Sequence, residues 1–243
     1  MAKFALLIGV SDYQFGLNHL PNAPVNVRSL TEILTHPDIG GFFEKDVRQV
    51  INPDSQELCE AIDGLFFNRT RDDLVLLYFN GHAIRDDSGK FYFATSKTLT
   101  SPEGKLRKST VVSAGFLHDV MNDCRSKQQI IILECCFGGA FAKGLDITMR
   151  GRVILTSSAS TQYTICSLDS SHSQKIAPSL YTNYLIEGIA TGAADQNCDG
   201  MISMDELHDY INEKMQDLVP EMQPAIYAAR EDYKIPIARV LKS

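Results

Sequence analysis

The stretch LVLLYFNGH, residues 74–82, decides the fold class of this chain. Its first six residues are all apolar, and it ends at a histidine after Asn80 and Gly81. A second stretch, IIILECC at residues 130–136, is built in the same way and ends at Cys136. Short runs that are apolar throughout are typical of strands buried on both faces of a parallel sheet. The two stretches therefore predict two central strands, each ending at a reactive side chain.

The rest of the chain alternates between apolar runs of strand length and stretches of helical period. Further strands are predicted at residues 4–10, 46–51, 152–157 and 235–240, and a hairpin at residues 85–96. Apolar residues three and four positions apart predict helices at residues 26–36, 55–67, 113–124, 179–192 and 205–218. This alternation predicts an α/β fold with a mostly parallel sheet and helices on both faces. Residues 160–178 are rich in serine and threonine without a clean period, and they predict a long surface loop.

Composition and charge limit the classes of partner. The chain has 243 residues and a net charge of −7, which disfavours broad binding to nucleic acid or to an anionic membrane. No apolar run approaches the roughly 18 residues expected of a membrane span. The N-terminal apolar run continues without a small-residue cleavage site, so a first strand fits better than a signal peptide. We expect one domain over residues 1–243, with no nucleic-acid or membrane partner.

The cysteines indicate a reducing compartment. The six cysteines show neither a paired disulfide framework nor the C-x-x-C spacing of a zinc site. Free thiols in a reducing cytoplasm are therefore the expected state. We expect a cytoplasmic protein in which a thiol is available for chemistry.

A histidine and a cysteine at two strand ends indicate thiol chemistry. A cysteine becomes a good nucleophile when a base takes its proton. His82 precedes Cys136 by 54 residues, enough for a crossover unit that lays the two strands side by side. Gly138 and Gly139 permit a sharp turn into a short helix whose N-terminus favours a thiolate, and the N–H groups of Cys136 and Ala83 are candidate oxyanion donors. The alternatives are a buried structural cysteine and a histidine that caps a strand.

Three motifs together resemble the caspase and metacaspase clan of cysteine peptidases: ALLIGV near the N-terminus, YFNGHA around His82 and LECCFGGAF around Cys136. Within that clan the motifs are most similar to prokaryotic caspase-like proteins, often called orthocaspases. The resemblance extends over nearly the whole chain. It implies a caspase-like three-layer α/β/α sandwich around a mostly parallel six-stranded sheet, and a cysteine endopeptidase that needs no organic cofactor.

The resemblance also assigns roles to individual residues. The family pattern around the nucleophile, D-x-C-x-S-G, aligns with residues 134–139 and implies that Cys136, not Cys135, is the nucleophile. It implies that His82 is the general base or proton shuttle, and that the substrate is a protein or peptide. We expect control of the activity by an activating protein partner, an ion or proteolysis.

Four positions depart from the family pattern. Glu134 replaces an aspartate two residues before the nucleophile, and Ala83 replaces the glycine after the histidine. Gly138 replaces a serine, and Asn26 stands where an aspartate is usual. The resemblance implies that positions 134 and 26 line the S1 pocket and attract arginine or lysine at P1, so the one remaining acid favours a basic P1 residue with altered or weakened specificity. The same departures also fit a catalytically impaired pseudo-caspase that acts as a regulatory or interaction module.

One loop fits the spacing of a calcium-binding EF-hand. In residues 195–206, oxygen-bearing side chains fall at loop positions 1, 3, 5, 9 and 12, with glycine at 6 and isoleucine at 8. Oxygen ligands of this kind suit Ca2+. The ligands that this register predicts are Asp195, Asn197, Asp199, Ser203 and Glu206. The alternative is an Asp-Gly turn that leads into a capped helix.

Overall fold

A six-stranded central sheet carries the fold. The structure is a computed structural model, and the residues it describes are 1–14, 16–101, 105–143, 151–158, 176–229 and 234–241. The strands in chain order are β1 (Lys3–Gly9), β2 (Val47–Ile51), β3 (Leu74–Asn80), β4 (Ala83–Arg85), β5 (Phe91–Ala94), β6 (Val111–Ser113), β7 (Gln128–Glu134), β8 (Arg152–Thr156), β9 (Met201–Ser203), β10 (Ala225–Ala228) and β11 (Pro236–Arg239). The helices are α1 (Ala23–Thr35), α2 (Ser55–Phe66), α3 (Ala114–Asp123), α4 (Gly138–Lys143), α5 (Leu180–Thr191) and α6 (Met204–Leu218).

The order of strands in the central sheet is β10-β8-β7-β3-β1-β2. All neighbours in it run parallel except β10, which is antiparallel to β8. All seven residues of β3 are buried, because this strand lies inside the sheet with a layer of helices on each face. The predicted α/β fold around a mostly parallel six-stranded sheet is confirmed.

Two separate apolar cores lie on the two faces of the sheet. On one face, α1, α5 and α6 pack against the strands through residues that include Leu30 and Leu207. On the other face, α2, α3 and α4 pack through residues that include Leu58 and Leu117. Side chains alternate across a strand, so Tyr78 of β3 belongs to the first core and Phe79 to the second. None of the helices in the described ranges has the length and apolar character needed to span a bilayer.

The sixth strand of the sheet differs from the prediction. Residues 235–240 were expected to form a last strand, and they do contain β11, but β11 pairs antiparallel with β9 in a separate two-stranded sheet. The central sheet is completed by β10, for which no strand was predicted. Three of the four residues of β10 are only half-buried, because the strand lies at the sheet edge. It therefore lacks the continuous apolar run that marks a central strand.

The hairpin predicted at residues 85–96 is present and begins directly after His82. β4 pairs antiparallel with β5, and Gly89 in the turn between them has a φ of +80°, a value that glycine adopts without strain. β5 also pairs with β6, which gives a small three-stranded sheet. Of the loop predicted at residues 160–178, residues 160–175 lie outside the described ranges.

Candidate active site

The predicted histidine and cysteine line one cleft at the carboxyl edge of the sheet. β3 and β7 are parallel neighbours, and their last residues, Asn80 and Glu134, lie opposite each other. The chain leaves both strands at the same edge, so His82 and Cys136 reach the same cleft. The other walls of this cleft include Leu20, Asn22, Asn26 and Ser179.

The cleft is almost closed. The space in it that is open to a water-sized molecule is about 20 Å³, which is room for about one water. Two hydrogen bonds hold its walls together: Asn22 Nδ2 donates to the carbonyl of Ala177 at 2.8 Å, and the N–H of Ser179 donates to Asn26 Oδ1 at 2.9 Å. These bonds tie the start of α1 to the segment that enters α5.

Three contacts hold the imidazole of His82. Its Nε2 lies 2.9 Å from the backbone carbonyl of Asn18. Because a carbonyl only accepts hydrogen bonds, the Nε2 atom carries the proton. The backbone N–H of His82 donates to the hydroxyl of Tyr13 at 2.8 Å, and the Tyr13 ring lies 4.9 Å from the imidazole between centroids. The tautomer is therefore set, and Nδ1 keeps its lone pair.

The surroundings of His82 favour its neutral form. Burial lowers the pKa of His82 from its ordinary value of 6.5, and the hydrogen bond to Asn18 acts in the opposite direction. A lowered pKa keeps the imidazole uncharged at neutral pH. The uncharged form is the one that accepts a proton, so the ring is suited to act as a base.

The two adjacent cysteines have different surroundings. Cys135 is 1% exposed, and burial raises the pKa of its thiol well above the ordinary value. Both cysteines line the cleft, but only Cys136 is partly exposed. A thiolate is disfavoured in an apolar core, so Cys136 is the better suited of the two to nucleophilic chemistry.

A strained turn leads from Cys136 into α4. Phe137 has a φ of +59°, a left-handed conformation that costs a bulky residue about 1–3 kcal/mol. At the next position, Gly138, an added Cβ atom would lie 2.9 Å from the Cβ of Thr156 on β8. A serine at position 138 would therefore collide with Thr156. The glycine found here is required by the neighbouring strand.

The carboxylate of Glu134 is buried among uncharged donors. Glu134 is 3% exposed. Its Oε2 accepts hydrogen bonds from the Tyr78 hydroxyl at 2.8 Å and the Thr182 hydroxyl at 2.5 Å, with Asn26 Nδ2 at 3.4 Å. Burial raises the pKa of Glu134, and hydrogen bonds from Ser179, Thr182 and Tyr78 oppose that shift. Among the described residues, all hydrogen-bond donors to this carboxylate are neutral.

Asn26 joins the same network from α1. It is fully buried, and its Nδ2 donates to Ser179 Oγ at 2.9 Å and to Asn80 Oδ1 at 3.3 Å. Asn80 Nδ2 in turn lies 3.3 Å from the backbone carbonyl of Glu134. The two residues predicted to bind substrate, Asn26 and Glu134, therefore lie together in the wall of the cleft.

The N–H of Ala83, a predicted oxyanion donor, is not used by the hairpin. The ladder hydrogen bonds fall at the pairs His82–Ala94 and Asp86–Lys90. Bonded and non-bonded positions alternate along an antiparallel pair, so the N–H of Ala83 points away from β5. Ala83 is not among the residues with positive φ, so its methyl group introduces no backbone strain.

The predicted calcium ligands lie together in the loop between α5 and α6. Asp195 accepts the N–H groups of Asp199 at 3.2 Å and Gly200 at 3.0 Å. Glu206 accepts the N–H of Ser203 at 3.0 Å and its hydroxyl at 2.6 Å. Over the part of the chain that the structure describes, no group of three or more histidine, cysteine, aspartate or glutamate side chains is placed to hold a metal ion. Calcium binding stays a prediction.

Several residues of the site carried no signal in the sequence. Asn18 acts through its backbone carbonyl, which every residue has. Tyr13 is 69 positions from His82, and Thr182 is 48 positions from Glu134, so no local pattern links them. Only Asn80 had a readable signal, because it is a polar residue at the end of an otherwise apolar strand.

Comparisons with known proteins agree with this architecture. A family model for the caspase domain, Peptidase_C14, matches residues 2–233. The crystal structure of a protein from Geobacter sulfurreducens, solved as a structural genomics target, is similar with a TM-score of 0.69 and 11% sequence identity, over 100% of this chain and 100% of that chain. At this identity the likeness establishes the fold alone. No curated protein matches the sequence.

Proposed function

The chain belongs to the caspase-domain family, and from this premise we propose that it is a cysteine endopeptidase with Cys136 as the nucleophile and His82 as the general base. It cleaves protein or peptide substrates, and it prefers arginine or lysine at P1. One observation carries the proposal: His82 and Cys136 line one cleft while Asn18 holds the proton on Nε2 of His82.

The proposed reaction begins with transfer of the Cys136 thiol proton to Nδ1 of His82. The carbonyl of Asn18 stabilises the imidazolium that forms. The thiolate attacks the carbonyl carbon of the scissile peptide bond, and the N–H groups of Ala83 and Cys136 donate to the tetrahedral oxyanion. The C–N bond breaks as His82 returns its proton to the leaving amine. Water then hydrolyses the thioester, which releases the acid and restores the thiol.

A basic P1 residue is proposed because Glu134 is a buried carboxylate whose donors are all neutral in the described ranges. An arginine or lysine side chain in the cleft would supply a positive charge and lower the pKa of Glu134. Asn26 offers an amide where the family pattern has a second acid. We therefore propose that the preference for a basic residue is retained but is weaker than with two acids.

Opening of the cleft is part of the proposed mechanism. The cleft has room for about one water, so a wall must move before a P1 side chain can bind. The hydrogen bonds from Asn22 to Ala177 and from Ser179 to Asn26 are the contacts that must break. Either the substrate or an activating protein partner would stabilise the open form, because a ligand shifts a conformational equilibrium only by binding one state better.

Calcium is a second proposed activator. The loop that contains Asp195 and Glu206 follows α5, and the N-terminal end of α5 forms part of the cleft wall. Titration of the protein with CaCl2 in a calorimeter tests binding directly. A titration without heat above the buffer blank would remove calcium from the mechanism.

We propose a cytoplasmic location. In the described ranges, no disulfide is formed by Cys59, Cys124, Cys135 or Cys198. A nucleophilic thiol stays reduced in the cytoplasm, whereas oxidising compartments convert such thiols to disulfides.

A panel of fluorogenic peptides with Arg, Lys, Gln or Asp at P1 tests the activity and the preference together. We expect cleavage after Arg and Lys, weaker cleavage after Gln and none after Asp. Strong cleavage after Asp with none after Arg would overturn the P1 assignment. Labelling by a thiol-reactive peptide probe should be lost in Cys136→Ala and kept in Cys135→Ala. Equal labelling of the two variants would overturn the choice of nucleophile.

A second candidate function is a catalytically impaired pseudo-caspase that acts as a regulatory or interaction module. The nearly closed cleft favours it, as do the departures at Ala83, Glu134 and Gly138. This function predicts that a folded protein neither cleaves any peptide of the panel nor reacts with the thiol probe. Circular dichroism of the same sample establishes that the protein is folded.

A further inference from the structure

A second cavity lies on the opposite side of the dyad from the cleft. It is a groove between the β4–β5 hairpin and the start of α3, with about 590 Å³ open to a water-sized molecule. Its residues Phe91 and Ala114 belong to the core on the face of α2, α3 and α4. The cleft is lined instead by Asn26 of α1 and by Ser179 at the start of α5, two helices on the other face of the sheet.

The groove carries positive charge. Arg85 and Lys90 are exposed and line it, and no carboxylate is among its described lining residues. Asp86, which lies between them in the sequence, forms an ion pair with Lys108 at 3.4 Å. Asp87, at the tip of the hairpin, does not line the groove. The Asp86 carboxylate also accepts from the hydroxyl of Tyr92, which lines the groove, but Lys108 balances its charge. In the described ranges, Arg85 and Lys90 form no ion pair.

A further feature of the groove suits a carboxylate. The ten-residue helix α3 contributes Ala114 and Gly115 to the wall, and the first N–H groups of a helix attract anions because they have no partner within it. His118, one turn later, also lines the groove, and its ring packs on Phe141 at 4.6 Å. Burial lowers the pKa of His118, which favours the uncharged imidazole, so the positive charge of the groove comes from Arg85 and Lys90.

Arg85 is the lining residue of the groove that is nearest to His82 in the sequence. β4 begins at Ala83, so Arg85 lies three residues beyond His82, about 10 Å along the strand. The guanidinium carbon of Arg85 lies 5.9 Å from the ring centre of Phe137, the residue after Cys136. A peptide whose P1 side chain enters the cleft would pass over this groove if it leaves the dyad along β4. At about 3.3 Å per residue, about the third residue after the scissile bond reaches Arg85.

We propose that this groove binds the substrate residues that follow the scissile bond and selects acidic side chains at P2′ to P4′. Arg85 and Lys90 pair with these carboxylates, since guanidinium and ammonium groups form charge-assisted hydrogen bonds with them. A carboxylate that reaches deeper accepts from the first N–H groups of α3. The proposal rests on the proposed function, because it assigns a binding site to the substrate residues that leave with the amine in the same reaction.

Two internally quenched peptides test this selection by cleavage. They share the residues before the scissile bond, with Arg at P1, and continue with Gly-Glu-Glu-Glu or Gly-Gln-Gln-Gln. We expect kcat/KM to be about five- to tenfold higher for the Glu peptide, and nearly equal for the two peptides in the Arg85→Gln/Lys90→Gln variant. Arg48→Gln removes one positive charge from the exposed edge strand β2 and should keep the preference. A substrate that ends at P1 in a small fluorogenic amine should be cleaved equally by all three proteins.

Binding to Cys136→Ala separates the groove from catalysis. Fluorescence anisotropy with the same two peptides, labelled with fluorescein, requires no hydrolysis. We expect the Glu peptide to bind about five- to tenfold more tightly, an advantage that is lost when Arg85 and Lys90 are replaced and kept in Arg48→Gln. A protein that cleaves nothing but binds in this way contradicts the proposed function and supports the groove. Equal binding of the Glu and Gln peptides, or an equal loss in Arg48→Gln, overturns the groove.

Discussion

The cleft and the groove flank the same dyad, and they differ in volume, burial and charge. The cleft leaves about 20 Å³ to a water-sized molecule, and the groove leaves about 590 Å³. Glu134 in the cleft wall is 3% exposed, whereas Arg85 and Lys90 of the groove are exposed to solvent. In the proposed function, the residue before the scissile bond therefore contacts a single buried carboxylate. The residues after the bond contact charges that are exposed to solvent.

The same comparison ranks the expected energies. A charge pair that forms in a buried site is screened little by salt, whereas an exposed ion pair contributes only about 0.2–1 kcal/mol and is weakened by salt. Substitutions in the cleft should therefore have larger effects than substitutions in the groove. Their effects should also depend less on ionic strength.

Removal of the nucleophile should separate the two regions most sharply. Cys136→Ala should lower kcat/KM on an Arg peptide by at least about 10⁴-fold, because the thioester of the proposed reaction forms on Cys136. Peptide binding to the groove should remain, since Cys136 does not line it. Hydrolysis rates and anisotropy on the same sample check both outcomes. Activity of Cys136→Ala within tenfold of the parent would place the nucleophile elsewhere.

Neutralisation of the buried acid should change the cleft alone. Glu134→Gln should lower kcat/KM for an Arg peptide about 30-fold, equal to about 2 kcal/mol for a hydrogen bond to a charged group. Cleavage after Gln should change much less, and the preference for Glu at P2′ to P4′ should persist. The measurement is steady-state kinetics of the parent and the variant on peptides with Arg or Gln at P1, each followed by Glu or Gln residues. An equal loss for Arg and Gln peptides would contradict a charge-reading role for Glu134.

The buried acid should also make stability depend on pH. Burial raises the pKa of Glu134 above its ordinary value of 4.5, so the folded protein holds this proton more tightly than the unfolded chain does. The stabilisation is complete below the unfolded pKa and is lost as the pH rises through the folded pKa. In the Glu134→Gln variant, the side chain at position 134 does not titrate. Urea denaturation from about pH 4 to about pH 8 measures the free energy of unfolding of both proteins. As the pH rises, this free energy should fall in the parent relative to the Glu134→Gln variant. A constant difference would contradict the raised pKa.

Removal of one hydroxyl beside His82 should have a moderate effect. Tyr13→Phe deletes the oxygen that accepts the His82 backbone N–H at 2.8 Å but keeps the ring that packs on the imidazole. We expect kcat to fall about fivefold, as for a lost hydrogen bond worth about 1 kcal/mol, with KM nearly constant. The preferences of the cleft and of the groove should both remain. A rise in KM with constant kcat would argue against a positioning role.

The smallest expected effect is the position of the acid limb of the pH profile. Burial lowers the pKa of His82 below 6.5, and the protonated ring cannot take the proton of Cys136. Activity should therefore be lost only below pH 6.5, as the pH falls through the lowered pKa. The pH profile is measured with a substrate that has Gln at P1 and no residues after the scissile bond. This substrate limits the contributions of Glu134 and of the groove to the profile. An acid limb in kcat/KM above pH 6.5 would contradict the assignment.

The two central strands, and the approach of His82 and Cys136 to one cleft, were open to prediction from the sequence because their signals are local. A strand that is buried on both faces needs apolar residues along its length, and β3 and β7 both meet that requirement. The point where such a run stops is visible as well, so His82 and Cys136 could be paired before any contact was known. The edge strand β10 could not be predicted from the sequence, because its half-exposed residues leave no periodic signal.

The sequence by itself determined the α/β class, the caspase-type motifs and the positions of His82 and Cys136 after the ends of two central strands. Only the tertiary structure decided that Asn18 holds His82, that Thr182 surrounds Glu134 with Tyr78, and that one side of the dyad is closed while the other is open. The physical reason is that burial of a strand is recorded in consecutive residues, whereas these contacts join residues far apart in the chain. A backbone carbonyl such as that of Asn18 is also present in every residue, so no side-chain pattern can reveal it.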